Sequence, residues 1–147
     1  MLFFTGSYPL LLDSKGRFVV PASFRKALAD AGESELKITS HPDGCLRLYP
    51  RSVWQEVEQR MVEARFPGIE RWRRVVFGNA WETLMDSAGR LLLSPELRAF
   101  AHMGKKIWMA GSGRYFEIWS EEGWQKQMDC NLVIVPVLPP EIQELLQ

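Results

Sequence analysis

The 147-residue chain has two cysteines, two histidines and no formal net charge, its 18 basic residues being matched by 18 acidic ones. Cys45 and Cys130 stand far apart, which excludes a disulfide framework and any paired-cysteine metal or redox motif. His41 and His102 lie outside any ligand motif, so neither a metal nor another cofactor is expected. No apolar run approaches the ~20 residues that cross a bilayer. The stretch from Met1 to Gly6 lacks the basic and small-residue signals of a secretory leader. The expectation is a cytoplasmic protein with no membrane partner and no small-molecule substrate. Zero net charge argues against a nucleic-acid binder that relies on bulk positive charge, but it leaves room for a local one. Residues 13 to 26 hold Lys15, Arg17, Arg25 and Lys26 against Asp13 alone. After Tyr115 the balance reverses, with Glu117, Glu121, Glu122 and Asp129 against Lys126.

What the chain does have is one stretch written twice. Leu12-Asp13-Ser14-Lys15-Gly16-Arg17-Phe18-Val19-Val20-Pro21 returns as Met85-Asp86-Ser87-Ala88-Gly89-Arg90-Leu91-Leu92-Leu93-Ser94. Asp13 and Asp86 lie 73 positions apart, and so do Arg17 and Arg90. Two matches in register, with similar flanks, indicate a duplication. Asp at the first position of a four-residue turn and Gly at the last favour a type I turn. Between two apolar runs this predicts a three-residue hairpin loop closed by a left-handed Gly. Asp13 and Asp86 then shape the turns with Gly16 and Gly89. Arg17 and Arg90 stand opposite the carboxylates, at about 5 Å between Cβ atoms. Lys15 is the uncovered tip residue of the first copy, and Ala88 takes its place in the second.

The remaining pattern alternates short strands with helices. Ser7 to Leu12 and Arg17 to Val20 read as strands, Pro9 marking the first as an edge strand. Pro21 opens a helix with Phe24, Ala27, Leu28 and Ala31 on one face, and Gly32 ends it. Glu35 to Thr39 and Cys45 to Tyr49 form a strand pair across His41-Pro42-Asp43-Gly44. A helix from Arg51 to about Phe66 carries Trp54, Val57, Met61 and Ala64 inward. A shorter one, Ile69 to Phe77, turns Ile69, Trp72 and Val76 inward and leaves Arg71 and Arg74 outside. The order then repeats: strands at Trp81 to Met85 and Leu91 to Leu93, then a helix capped by Ser94-Pro95 and closed by Gly104. A strand pair follows, Ile107 to Ala110 and Phe116 to Trp119. The tail from Asn131 to Gln147 has no earlier counterpart among these motifs. Its Leu132-Val133-Ile134-Val135 run is expected to pack on the body or on a neighbour, with a short helix or no order after it.

These motifs in this order carry a family resemblance. The Gly-x-Tyr start, Leu-Asp-Ser-Lys-Gly-Arg-Phe-Val-Val-Pro-Ala-Ser-Phe-Arg, Gly-Cys-Leu-x-Leu-Tyr-Pro, Met-Asp-x-x-Gly-Arg-Leu-Leu-Leu and Phe-Glu-Ile-Trp resemble the MraZ regulators. The resemblance implies an α+β fold of two tandem swapped-hairpin repeats of the SpoVT-AbrB type, interleaved into a double-split β-barrel with flanking helices. Residues 7–54 and 83–126 would be the two domains, 55–82 a helical connection and 127–147 a variable tail. It also implies a DNA-binding transcriptional repressor that associates with the nucleoid. Its subunits would close into a homo-oligomeric ring on short direct repeats in double-stranded promoter DNA. The regulated cluster would be the division and cell-wall genes, including its own gene. Carried over residue by residue, the motif falls on Asp13, Lys15 and Arg17, and on Asp86 and Arg90. Ala88 departs from it.

Each of these readings has a plainer counterpart. The Asp–Arg pairs could be salt bridges that only pin tight turns, a role with a stability effect of about 0–1 kcal/mol when exposed. Shaping a turn and presenting an Arg fork to a phosphate or a guanine edge are compatible roles. Arg25 and Lys26 could be phosphate contacts or an ordinary solvated helix face. The arginines around Trp72 are expected to be solvated or to meet a neighbouring subunit. Most tryptophans fall at core positions, and both histidines read as polar surface. An enzyme is disfavoured, because each Asp has an Arg in line to neutralise it and no nucleophile elbow or phosphate loop is present. A pure partner-binding module of antitoxin type is disfavoured by the bare basic tip at Lys15.

Overall fold

The computed structural model describes residues 3–129 and 137–146. The Leu132 to Val135 run therefore lies outside the described residues. In chain order the first half contains β1 (Ser7–Leu11), β2 (Arg17–Val19), α1 (Ala22–Asp30), β3 (Leu36–Ser40), β4 (Leu46–Pro50) and α2 (Arg51–Glu63). α3 (Ile69–Val76) connects it to β5 (Trp81–Thr83), β6 (Arg90–Leu92), α4 (Pro95–Phe100), β7 (Lys106–Gly111), β8 (Phe116–Ser120) and α5 (Glu121–Met128). α6 (Pro140–Gln143) and a 3₁₀ turn, Glu144–Leu146, follow.

The strands on either side of each duplicated turn do not pair with each other, contrary to the simple hairpin expected from turn chemistry. β1 pairs antiparallel with β7, and β2 pairs with β6, so both partners come from the other half. β5 likewise joins β3. The result is a six-stranded sheet in the order β1-β7-β8-β4-β3-β5 and a separate two-stranded ribbon of β2 and β6. Exchanging the halves (β1 for β5, β3 for β7, β4 for β8) leaves that order unchanged. The exchange of hairpins is therefore internal to one chain, and it agrees with the α+β tandem-repeat fold implied by the resemblance. β1 and β5 end the larger sheet, so its hydrogen bonding does not close into a cylinder. Pro9 does sit on an edge strand, where its missing N–H costs no ladder bond.

The alternation of β2 and β6 decides which face is core. Phe18 and Leu91, opposite each other, are 1% exposed. They join Phe24, Leu28, Leu46, Leu48, Leu93, Leu97, Ile107, Met109, Phe116 and Ile118 in one cluster drawn from both halves. Burying a side chain of this size contributes about 1.5–3 kcal/mol, so neither half retains this core alone. A second cluster, Tyr49, Val53, Trp54 and Val76, seats α2 and α3 against the sheet. Ser40 Oγ donates to the Val75 carbonyl at 2.7 Å, and Thr39 Oγ1 donates to that of Val76.

Several local expectations are corrected. α2 stops at Glu63 rather than running to Phe66, because Arg73 caps its last turn by donating to the carbonyls of Met61, Val62 and Ala64. Arg73 is thus bound to the protein's own backbone. Trp72 is 39% exposed rather than inward, with its ring edge against His41. Only Trp54 and Trp119 of the six tryptophans are buried. His41 is half-buried, and burial holds its pKa below the ordinary histidine value. α4 ends with His102 in the left-handed conformation, φ 53°, two residues before Gly104.

Candidate nucleic-acid interface

The duplicated turns have one geometry. Gly16 N–H donates to the Asp13 carbonyl and Asp13 N–H to the Arg17 carbonyl, at 3.0 and 2.8 Å. The second turn matches, with Gly89 to Asp86 and Asp86 to Arg90 both at 3.0 Å. Gly16 and Gly89 take φ of 83° and 78°, where a side chain is strained. Asp13 Oδ1 accepts the N–H groups of Lys15 and Arg17, both at 2.9 Å. Asp86 Oδ1 does the same for Ala88 and Arg90. The other carboxylate oxygen takes the arginine Nε at 2.8 Å in each turn. These bonds, led by the Arg17 and Arg90 backbone N–H groups, hold both aspartates below the usual carboxylate pKa. Nε is one of the guanidinium's five N–H donors, so the salt bridge orients each fork without saturating it.

The crossing of the halves then brings the turns together. In the β2–β6 ribbon Arg17 faces Leu92 and Val19 faces Arg90. Arg17, Val19, Arg90 and Leu92 alternate with the buried Phe18 and Leu91, so they share the outer face. Arg17 and Arg90 are diagonal neighbours there, a relation that places residues about 7–8 Å apart, within reach of long side chains. Lys15 is exposed at the tip of the first turn and Ala88 at the tip of the second. Val19 and Leu92 remain about half exposed between the two arginines.

Each turn is fastened to the other half's helix start. Leu93 N–H donates to the Gly16 carbonyl and Val20 N–H to that of Gly89, both at 2.9 Å. Arg25 Nε donates to the Val20 carbonyl at 3.0 Å, and its side chain lies over Gly89. Arg98 makes the corresponding pair, bonding the Leu93 carbonyl at 3.1 Å and covering Gly16. Arg25 is therefore half-buried and beside the second turn, not the first, while Lys26 is exposed on α1. Arg98 was absent from the residues singled out by motif. The signal that finds it is the 73-residue spacing from Arg25. The assembled surface holds Lys15, Arg17, Arg25, Arg90 and Arg98 around one ribbon, whereas the chain as a whole is neutral. Among the described residues no group of histidine, cysteine and acidic side chains could hold a metal. No described helix is long and apolar enough to cross a membrane.

Comparison with known proteins bears on this surface. Residues 3–71 and 76–131 match the family described as "MraZ protein, putative antitoxin-like". A protein of Dechloromonas aromatica is 44% identical over 146 residues, covering 97% of this chain and 99% of its own length. Proteins of Aromatoleum aromaticum and Nitrosospira multiformis are 40% and 37% identical, covering 97% and 95% of this chain and 98% and 97% of their own. All three are named transcriptional regulator MraZ. With its duplicated turns matched across both halves, the chain belongs to the MraZ family.

Proposed function

We propose that the chain is a sequence-specific DNA-binding transcriptional regulator whose β2–β6 ribbon and turn tips enter the major groove. The observation that carries the reading is the convergence of Arg17 and Arg90, with Arg25 and Arg98 beside them, on one exposed two-stranded ribbon. A ribbon of this width fits the major groove, where an Arg fork bonds guanine O6 and N7. Lys15 and Arg17 make the dominant contacts, Arg90 a further one, and Lys26 reaches phosphate. Asp13 and Asp86 keep the forks aimed while Gly16 and Gly89 allow the turns. The names of the relatives support the same assignment.

One ribbon reads only a few base pairs, which gives weak affinity at cellular salt. Repetition in a homo-oligomeric ring removes that weakness, because every further contact forms at high effective concentration. The ring therefore takes tandem direct repeats upstream of the division and cell-wall gene cluster, its own gene included, and represses it from the nucleoid. The test is fluorescence anisotropy on duplexes with one repeat, two repeats about 10–10.5 bp apart, and two repeats with one shifted by about 5 bp. Cooperative binding confined to the in-phase pair is expected, with Lys15→Ala plus Arg17→Ala weakening it and flattening the salt slope by about one unit per lost phosphate contact. Equal binding of shifted and unshifted sites, or unaltered binding by the folded double variant, refutes the reading.

A further inference from the structure

α3 and the segment formed by α6 with the 3₁₀ turn behind it both carry spaced apolar residues, Ile69, Trp72 and Val76 in the one and Ile142 and Leu145 in the other. The two segments differ in what they do with their apolar residues. α3 buries Ile69 and Val76 against the body. Every residue from Val137 to Leu146 is exposed, Leu145 and Leu146 at 79% and 71%. Ile142 and Leu145 stand three apart, which aligns them on one face of the short helical segment. The same segment carries Glu141 and Glu144 and no basic residue. It is a short acidic arm with an apolar stripe.

A surface of matching character lies on α3. Pro42, Trp72, Val75 and Phe100 line an open, mainly apolar groove of about 400 Å³, with Arg71 at its margin. Arg74, also exposed, stands three residues from Arg71 on the same helix. The groove is thus an apolar floor with a basic rim, complementary in both respects to the arm.

We propose that the arm, residues 137–146 of one copy, docks in the α3 groove of a second copy. Ile142 and Leu145 cover Trp72 and Phe100, and Glu141 and Glu144 face Arg71 and Arg74. Among the described residues the arm is exposed throughout, and the groove exposes Pro42, Arg71 and Trp72 with Val75 and Phe100 half-buried. Arm and groove are different surfaces, which makes the contact head-to-tail: every open assembly still offers one arm and one groove. Such contacts propagate until they close into a ring. This supplies a physical contact for the assembly proposed above and does not depend on DNA recognition.

Native mass spectrometry of the full chain tests it alongside two variants, Ile142→Asp plus Leu145→Asp in the arm and Arg71→Glu plus Arg74→Glu at the groove. Each replaces exposed side chains, so the core is untouched. Either variant is expected to weaken self-association at least about tenfold, about 1.4 kcal/mol, the arm variant by losing apolar contact and the groove variant by setting like charges against Glu141 and Glu144. Mixed together they should recover paired species, since the groove variant keeps its arm and the arm variant keeps its groove. Adding Glu141→Arg and Glu144→Arg to the groove variant should restore assembly by charge exchange. Unchanged assembly in the arm variant overturns the proposal while leaving an oligomeric regulator intact. A monomeric wild-type chain overturns it too, as does an arm that protects residues 68–76 from hydrogen exchange in the monomer.

Discussion

Arg47 and Glu117 face each other where β4 meets β8, with Nε and Oε2 3.9 Å apart, at positions that correspond between the two repeats. The two strands cross at the internal pseudo-two-fold axis, so a perfectly symmetric sequence would set like charges opposite one another there. Duplication within one chain allows an arginine on one side and a glutamate on the other. Both side chains are only 20% exposed, and the Arg47 guanidinium lies 4.5 Å over the Tyr115 ring.

Reversing one member therefore recreates the symmetric clash. Glu117→Arg or Arg47→Glu alone should destabilise the fold by about 2–4 kcal/mol, through an uncompensated, mostly buried charge. The double exchange should recover part of that loss, because the two positions are equivalent in register while Arg47 packs on Tyr115 and Glu117 faces Cys45 and Trp119. Denaturant midpoints across the four proteins measure the coupling, and additive single effects would refute it.

The two turn glycines should differ in tolerance although their φ values match. A Cβ on Gly16 meets the Leu93 carbonyl oxygen at 2.9 Å as well as the Arg98 guanidinium, whereas the three atoms nearest one on Gly89 all belong to the Arg25 side chain, which can move. Left-handed strain costs each alanine about 1–2 kcal/mol. Gly16→Ala should lose more stability than Gly89→Ala in thermal melts, and the reverse order would contradict the close approach described.

The turn carboxylates also impose an acid dependence. Their folded pKa values lie below the ordinary aspartate value. A group depressed in the folded state stabilises it fully above the unfolded pKa and loses that contribution as pH falls through the folded one. Asp13→Asn with Asp86→Asn should therefore flatten the acid limb of stability below about pH 4, leaving the pH 6–8 region level. An unchanged acid limb would rule out this role.

Cys45 should resist alkylation until the protein unfolds. It is completely buried, and desolvation with the nearby Glu117 charge pushes its thiol pKa to about 12. Thiolate is the reacting species, and its fraction at pH 8 falls to about one in ten thousand. Peptide mapping after iodoacetamide treatment checks this, and labelling of Cys45 at a free-thiol rate in folded protein would overturn it.

If the second turn binds less DNA because its tip is Ala88, then Ala88→Lys should tighten DNA binding and steepen the salt slope by about one unit. Anisotropy titrations at three salt concentrations decide it. No change would mean that the second tip stands clear of the phosphates.

The sequence by itself determined the local parts of this protein. Asp, Gly and Arg at fixed spacing dictate the same turn wherever they occur, because its bonds run between residues at most four apart. Helix starts at Pro21 and Ser94, the His41 to Gly44 turn and the duplication were legible for the same reason. The pairing of strands was not: turn chemistry alone suggests that β1 and β2 form a hairpin, and nothing within five residues says that β7 and β6 take them instead. That choice rests on burying Phe18 against Leu91 from the far half. Only the tertiary structure brought Arg17 beside Arg90 and put Arg98 on the Gly16 turn, since those neighbours are 73 and 82 residues distant. It also exposed Trp72 and turned Arg73 inward, because capping the α2 carbonyls and completing the core outweigh the periodicity of a short helix.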